Sequence, residues 1–295
     1  MRSVPLFLAA SLLILGGSQP TSRAADEALP AFDAYPAIAD DPVTPLGAEP
    51  TPLDIDAEAA ELRAAMAREV PGLLAVPTQS EAAWNRQVAA QLVAAGREID
   101  HPQLIVTVDR NPEVQQLRIV LARQGAPWLL VGAAPVSTGE PGLTGHYKTP
   151  VGVFAHTRRI IDYRAEGTYS RRRHIRGLGV RGMRVWDFGW HTTEDWREPN
   201  GWTRIRLAIH ATDPDTLEHR IGQPASKGCV HVSAALNRFL DRHGIIDASY
   251  EQAAHTDGRY RELLLSDRTP TPLAGTMMVV FDSGQTAAAD PSASY

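Results

Sequence analysis

The chemistry of this chain centres on Cys229, the one cysteine among its 295 residues. The thiol stands in the glycine-flanked run Ser226-Lys227-Gly228-Cys229-Val230. His210 lies nineteen positions upstream, at the end of an apolar alternation formed by Ile205, Leu207 and Ile209. A thiolate attacks a carbonyl carbon, an imidazole moves the proton, and backbone N–H groups at a turn stabilise the oxyanion. The pair therefore predicts a cysteine acyltransferase. The rest of the chain is then expected to direct export, support the fold or form the substrate groove.

The first 24 residues have the parts of a secretory signal. Arg2 precedes an apolar run over 4–15, and Ser22-Arg23-Ala24 fits a small-x-small cleavage pattern. The alternative is an uncleaved membrane anchor, although the apolar run is short for a bilayer span. We therefore expect cleavage after Ala24, export across the inner membrane to the periplasm, and no stable membrane span after processing.

Export bears on the meaning of a single cysteine, because secreted proteins normally pair their cysteines in disulfides. Cys229 has no second cysteine to pair with, so its thiol is either reactive or a small buried apolar group. The net charge is −5. Loss of Arg2 and Arg23 would leave 27 basic against 34 acidic residues, a net of −7. That balance argues against general nucleic-acid binding, which needs basic surfaces.

Four segments follow the signal. Residues 25–56 are acidic and proline-rich, which is typical of a mobile tether. Residues 57–100 are predicted to be helical, with one helix over 57–70 and a second capped by Ser80. The second helix places three apolar residues on one face, Trp84, Val88 and Leu92. Residues 101–285 would form the domain that carries the thiol, and 286–295 a disordered tail.

Short strands joined by turns dominate residues 101–285. The predicted strands cover 104–108, 117–122, 128–133, 152–155 and 276–281. A helix capped by Ser233 follows the thiol. Because turns rather than helices connect most of these strands, the fold class is expected to be mainly β with a few helices (α+β).

Residues 162–200 combine basic and aromatic side chains. Nine arginines fall between Arg158 and Arg184. Four of the six tryptophans fall within seventeen positions: Trp186, Trp190, Trp196 and Trp202. A long loop of this composition beside a catalytic segment is typical of a lid or groove wall. The sequence leaves open a structural insertion with core tryptophans and a solvated basic face.

Three motifs together resemble the L,D-transpeptidase catalytic domain family (YkuD-type) of bacterial peptidoglycan enzymes. TPVGVF at 149–154 is similar to T-P-x-G-x-F, IHAT at 209–212 to I-H-G-T, and GQPASKGCV at 222–230 to G-x-P-x-S-[HK]-G-C-[VI]. The resemblance covers about residues 102–283. It implies a YkuD-like β-sandwich, here preceded by a helical segment, and a role in cell-wall biogenesis and cell shape.

Carried onto this sequence, the resemblance makes Cys229 the nucleophile and His210 its base, with the carbonyl of Ala211 holding the other ring nitrogen. The backbone N–H groups of Gly228 and Cys229 would form the oxyanion hole, and no metal or organic cofactor is required. Ser226 would shape the turn or bind substrate. The side chains expected to contact substrate are Ser226, Lys227, His231, Tyr147, Arg171 and Trp202.

Two positions depart from the family pattern. Ala211 replaces a glycine, which narrows backbone freedom without changing the chemistry. His231 stands where arginine or asparagine is usual, so any contact that this position makes with a substrate carboxylate or amide would be weaker and pH-dependent.

The implied reaction joins peptidoglycan stem peptides through a thioester on Cys229. Other outcomes stay open at this point: water resolving the thioester in an L,D-carboxypeptidase or amidase, an envelope protein as acceptor, or an inert wall-binding module. A zinc site formed by His210, Cys229 and His231 is disfavoured, because their spacing fits no standard finger or ribbon.

Overall fold

The computed structural model describes residues 52–172, 174–198 and 201–285. The predicted signal (1–24), the predicted tail (286–295) and most of the predicted tether (25–56) lie outside these ranges. No helix within the described ranges is both long and apolar enough to cross a membrane.

Five α-helices and nine strands are found in the described ranges. The helices are α1 Pro52–Glu69, α2 Thr78–Ala94, α3 Ala234–Arg242, α4 Ala248–Ala254 and α5 Gly258–Leu263. The strands are β1 Gln103–Asp109, β2 Gln116–Ala122, β3 Leu129–Pro135, β4 Gly152–Ala155, β5 Tyr163–Arg164, β6 Arg184–Asp195, β7 Gly201–Ala211, β8 Val230–Val232 and β9 Met277–Phe281.

The strands form two sheets, one of five strands in the order β3-β2-β1-β9-β4 and one of four in the order β5-β6-β7-β8. In the first sheet β1 runs parallel to β9 and the other pairs are antiparallel. In the second, β6 and β7 form a long antiparallel pair, and β7 runs parallel to β8. The parallel pair matters most for function, because it brings the segments of His210 and Cys229 together.

The hydrophobic core between the sheets confirms the predicted mainly β fold with a few helices. Buried residues of both sheets join one cluster, including Val106 of β1, Val280 of β9 and Leu207 of β7. Helix α3 begins after Ser233, whose hydroxyl accepts the Leu236 N–H at 3.1 Å, as the sequence predicted. Strand β4 has the predicted bounds, and β1, β2, β3 and β9 lie within two residues of theirs.

The N-terminal helices pack on the first sheet. Arg63 of α1 donates two hydrogen bonds to the carbonyl of Leu130, at 2.7 and 3.0 Å, so it caps part of the edge strand β3. The predicted apolar face of α2 is buried, and Trp84 meets Phe281 edge-on with ring centroids 4.7 Å apart. These helices belong to the scaffold of the domain.

The starts of both helices differ from the prediction. Helix α1 begins at Pro52, so residues 52–56 are helical although they were expected to belong to the tether. Helix α2 begins at Thr78 after Pro77, and Ser80, predicted as its cap, instead donates its hydroxyl to the Pro77 carbonyl at 2.8 Å. A serine in the first turn satisfies a nearby carbonyl as readily as it caps, which a local pattern does not reveal.

The segment 162–200 was expected from its sequence to be one long loop, and this expectation was wrong. It contains strand β5 and the whole of β6, and Trp186 of β6 is fully buried in the core. Irregular structure is confined mainly to 165–183. The structure therefore supports the structural alternative for β6 and leaves a shorter segment beside it that could wall a groove.

Candidate active site

Successive residues of β7 point alternately into the hydrophobic core and towards the candidate site. Its buried apolar positions, Ile205, Leu207 and Ile209, share one face. The intervening residues Arg206, Ala208 and His210 therefore share the other face, because successive strand residues point to opposite sides. His210 is thus presented on the face of the sheet that looks away from the sandwich core.

The parallel pairing of β7 and β8 places the thiol beside this histidine. His210 is in register with His231 and Ile209 with Val230. Cys229, one residue before β8, consequently lies opposite Ala208 and on the same face as His210. With strands 4.8 Å apart and two residues of rise between them, the Cα atoms of Cys229 and His210 are diagonal neighbours at about 8 Å.

Ser226 closes the turn that presents the thiol. Its hydroxyl donates to the Cys229 carbonyl at 2.6 Å and accepts the Gly228 N–H at 2.9 Å. Ser226 is 1% exposed, so this hydroxyl is used inside the turn and not offered to a substrate. Gly228 has φ +133°, and a Cβ atom there would fall 2.5 Å from Cδ1 of Ile205, which explains the glycine.

Thr149, from the first motif, ties the turn to the rest of the domain. Its Oγ1 accepts the Gly139 N–H at 2.9 Å and donates to the Gly228 carbonyl at 2.8 Å. Thr149 is fully buried. The first and third motifs are therefore joined by a hydrogen bond at Gly228, one residue before Cys229.

The tautomer of His210 is set by its neighbour in the chain. Nδ1 lies 2.9 Å from the Ala211 carbonyl, which only accepts, so Nδ1 carries the proton and Nε2 keeps its lone pair. Burial lowers the pKa of His210, and the bond to Ala211 opposes this only in part. His210 is therefore a neutral base at physiological pH.

The Cys229 thiol is also neutral at rest. Burial raises the pKa of Cys229 to about 11, the backbone of Ala208 lowers it in part, and the Asp187 carboxylate raises it. Sγ lies 3.6 Å from the Arg206 carbonyl. The resting pair is thus a thiol beside a neutral imidazole, and the thiolate forms only when a proton is transferred.

One oxyanion donor differs from the expectation. The Gly228 N–H, expected to point at the oxyanion, is bonded to the Ser226 hydroxyl. Within the described ranges, the Cys229 N–H has no hydrogen-bond acceptor. The turn therefore offers Cys229 N–H as the donor for a developing oxyanion.

His231 packs directly on the ring of His210. The rings of His210 and His231 have centroids 4.4 Å apart. Burial lowers the pKa of His231 well below its ordinary value, and the nearby His210 and Arg220 lower it further. The position expected to bind substrate through a side chain is thus turned towards the imidazole of His210.

Comparison with known proteins agrees with this geometry. The family model for the YkuD domain, the L,D-transpeptidase catalytic domain, matches residues 104–245, a range that contains Thr149, His210 and Cys229. Residues 104–245 belong to the YkuD family. No curated protein matches the chain.

Three solved chains match in structure. One is a crystal structure of a fused Zn-dependent amidase/peptidase/peptidoglycan-binding domain-containing protein from Clostridium acetobutylicum ATCC 824. The match has a TM-score of 0.26 and 11% identity, and it covers 70% of this chain and 65% of that one. Likeness at this level carries no weight for function.

Three residues beside the thiol of the YkuD domain were not predicted from the sequence. Arg206 pairs with Asp187 at 2.6 and 2.7 Å, and Asp187 acts electrostatically on Cys229. Burial raises the pKa of Tyr163. Asp187 and Cys229 raise this pKa further, and Arg206 lowers it in part. The signal for Arg206 was present, since the apolar alternation of β7 puts it on the face of His210.

The remaining predicted site residues of the YkuD domain are more dispersed. Lys227 is exposed, and its carbonyl accepts the Tyr147 N–H at 3.3 Å. The half-buried Tyr147 ring lies under the Arg197 guanidinium, 5.3 Å away. Arg171 is exposed in the 165–183 segment. Trp202 is not brought to Cys229, because six residues of strand, about 20 Å, separate it from the position opposite Cys229.

One group of potential metal ligands, away from Cys229, already has a cation beside it, the Arg184 guanidinium. His156, Asp162 and Asp247 place ligand atoms within 4.8 Å of one another. Arg184 Nη2 lies 2.8 Å from Asp162 and 3.5 Å from Asp247. These residues therefore form a buried ionic network, and none of them is part of the Cys229 turn.

Proposed function

We propose that this protein is a peptidoglycan L,D-transpeptidase that joins stem peptides through a thioester on Cys229. The observation that carries the proposal is the pairing of β7 with β8, which sets Cys229 and His210 side by side on one face. The bond from Nδ1 to the Ala211 carbonyl adds a lone pair on Nε2 that is ready to take the thiol proton. The match of residues 104–245 to the YkuD family supports this class of reaction.

The first half-reaction releases D-alanine. His210 Nε2 takes the proton from Cys229 Sγ as the sulfur attacks the carbonyl carbon of the L-configured diamino acid that precedes the terminal D-alanine. The carbonyl oxygen becomes an oxyanion, for which the Cys229 N–H is the donor. The C–N bond then breaks, the departing amine of D-alanine takes the proton from His210, and a thioester remains.

The second half-reaction forms the cross-link. The side-chain amine of a second stem peptide attacks the thioester carbonyl and loses a proton to His210. The C–S bond breaks, and the Cys229 sulfur recovers its proton from His210. An amide between two stems is formed, and the neutral thiol and imidazole of the resting state are restored.

The neutral resting pair suits this cycle. A thiol whose pKa is about 11 stays protonated until a substrate is in place, which limits adventitious alkylation or oxidation. His210 is neutral and so can accept a proton at physiological pH. The signal-like residues 1–24 support action in the periplasm, where peptidoglycan lies.

The test is mass spectrometry of the purified protein incubated with a disaccharide-tetrapeptide, with Cys229→Ala alongside. Dimers formed with loss of D-alanine, absent with Cys229→Ala, are the expected result. Tripeptide monomers alone would mean that water resolves the thioester and that the protein is a hydrolase. The absence of any thiol-dependent product from stem peptides would overturn the proposal.

A further inference from the structure

Strands β6 and β7 carry an exposed strip that begins at the nucleophile. Trp190 is paired with Arg206, and Thr192 with Arg204, while Trp202 lies two residues further along β7 from Arg204. By strand alternation these five side chains, here called the outer strip, share the face that holds His210. The strip therefore continues the catalytic face away from the thiol.

The two tryptophans of the outer strip are unusually open to solvent. Trp190 is 59% exposed and Trp202 69%. An indole ring left in water forgoes the burial that a large aromatic side chain normally gains, so exposed rings at a functional face indicate a partner. By strand rise, the positions of Arg206, opposite Trp190, and Trp202 are about 13 Å apart.

The pattern of the outer strip argues for a sugar chain more than for a protein. The two rings are separated by Thr192 and Arg204, so they do not merge into the continuous apolar centre that is typical of protein interfaces. A pyranose has an apolar face that can lie on an indole and polar edges that hydrogen-bond to hydroxyl and guanidinium groups. Arg206, half exposed and held in place by Asp187, has further guanidinium N–H groups that can donate to carboxylates of the attached stem.

The distances fit a glycan that carries the donor stem. The scissile carbonyl of a tetrapeptide belongs to its third residue, so three residues separate it from the sugar, about 10 Å at 3.3–3.6 Å per extended residue. Measured along β7 from Ala208, the residue opposite Cys229, the outer strip spans about 7 Å (Arg206) to 20 Å (Trp202). A sugar attached to a stem in the site would therefore lie over the strip.

We propose that the outer strip binds the glycan backbone of peptidoglycan, with Trp190 and Trp202 as stacking platforms and Thr192, Arg204 and Arg206 as polar contacts. This assignment rests on the proposed function for its substrate class. It specifies the substrate contact that the sequence predicted for Trp202, because the indole would stack on a sugar ring of the glycan.

The test measures binding without turnover. The full chain with Cys229→Ala is titrated by calorimetry with soluble glycan strands from which the stems have been removed, and separately with a sugar-free tetrapeptide. Adding Trp190→Ala or Trp202→Ala should weaken glycan binding about tenfold each, while phenylalanine at either position should retain most of the affinity. Val93→Ala, which trims a 79%-exposed apolar side chain on α2, is the matched control and should leave glycan binding unchanged.

Two results would overturn the assignment. One is glycan affinity that does not change in the alanine variants. The other is failure of the Cys229→Ala chain to bind stem-free glycan at all, with or without binding to the tetrapeptide, since the occupant would then be peptide or absent. Neither result depends on catalysis, so a failed transpeptidase assay and a failed glycan assay are separate outcomes.

Discussion

The ring of His231 packs on the ring of His210, with centroids 4.4 Å apart and planes inclined at 54°. The His231 ring adds to the burial of the His210 ring, so a charge on His210 would be poorly solvated. His231 therefore helps to keep His210 in the form that accepts a proton.

Replacing His231 should move the acid limb of the pH profile. Activity needs neutral His210, whose pKa lies below its ordinary value of 6.5 because the ring is buried, so activity is lost only as pH falls through that lowered value. His231→Asn is smaller and admits water, so the limb should shift up towards pH 6.5. His231→Arg adds a fixed positive charge beside His210 and should not shift the acid limb to higher pH. The kcat/KM profile of each variant checks this, and equal upward shifts in both would contradict it.

The reactivity of the thiol should rise with pH far beyond neutrality. The pKa of Cys229 is raised to about 11, so the alkylation rate with iodoacetamide is expected to keep increasing between about pH 7 and 10. A thiolate–imidazolium pair would instead give a plateau near neutral pH. Because Cys229 is the only cysteine, the labelling rate reports this site alone. His210→Ala should leave the high-pH rate largely intact, and loss of that rate would indicate an ion pair.

Thr149→Val should loosen the nucleophile turn. The change keeps the shape of the side chain but leaves the Gly139 N–H and the Gly228 carbonyl without their buried partner, at a cost of about 1–3 kcal/mol each. We expect a lower free energy of unfolding and roughly a tenfold loss of kcat/KM. Thr149→Ser keeps the hydroxyl and should recover most of both losses. Denaturant unfolding and steady-state kinetics check this, and a Val variant as stable as the parent would contradict it.

Much of the site could be predicted because its signals are local. The alternation of Ile205, Leu207 and Ile209 set the face of His210, and the glycine-flanked run marked the turn of Cys229. The bounds of β1, β2, β3, β4 and β9 were predicted to within two residues, from alternating apolar residues and from the turn residues between strands. What brings the two segments together is the parallel pairing of β7 with β8, which no local sequence pattern predicted.

Strands β5 and β6 were missed because their arginines have partners far away in the sequence. Arg184 is fully buried and bonds Asp162, and Arg164 bonds Asp241 of α3. Sequence alone predicts that such arginines lie on a solvent-exposed basic loop. Only the fold supplies the carboxylates that make their burial tolerable.

The buried network should give stability a dependence on pH. His156 Nδ1 donates to the Ile246 carbonyl and Nε2 to Asp162, both at 2.8 Å, so the ring is held as an imidazolium. Burial lowers the pKa of His156, but Asp162 outweighs burial and the net change is upward from 6.5. Burial likewise raises the pKa of Asp162, but His156 and then Arg184 outweigh it, so the net change is downward from 3.8.

The free energy of unfolding should therefore be highest between about pH 4 and 6.5 and should decline as pH rises through the raised pKa of His156. Below pH 6.5 the His156 contribution is fully present, and the Asp162 contribution is lost only as pH falls through its lowered value. His156→Gln should cost about 3 kcal/mol at pH 6 and flatten the decline at higher pH, because it removes the titrating partner of Asp162. His101→Gln, at a more exposed histidine beside Asp100, should keep the decline. Urea unfolding across this range checks both variants, and a decline that persists in His156→Gln would assign it to another group.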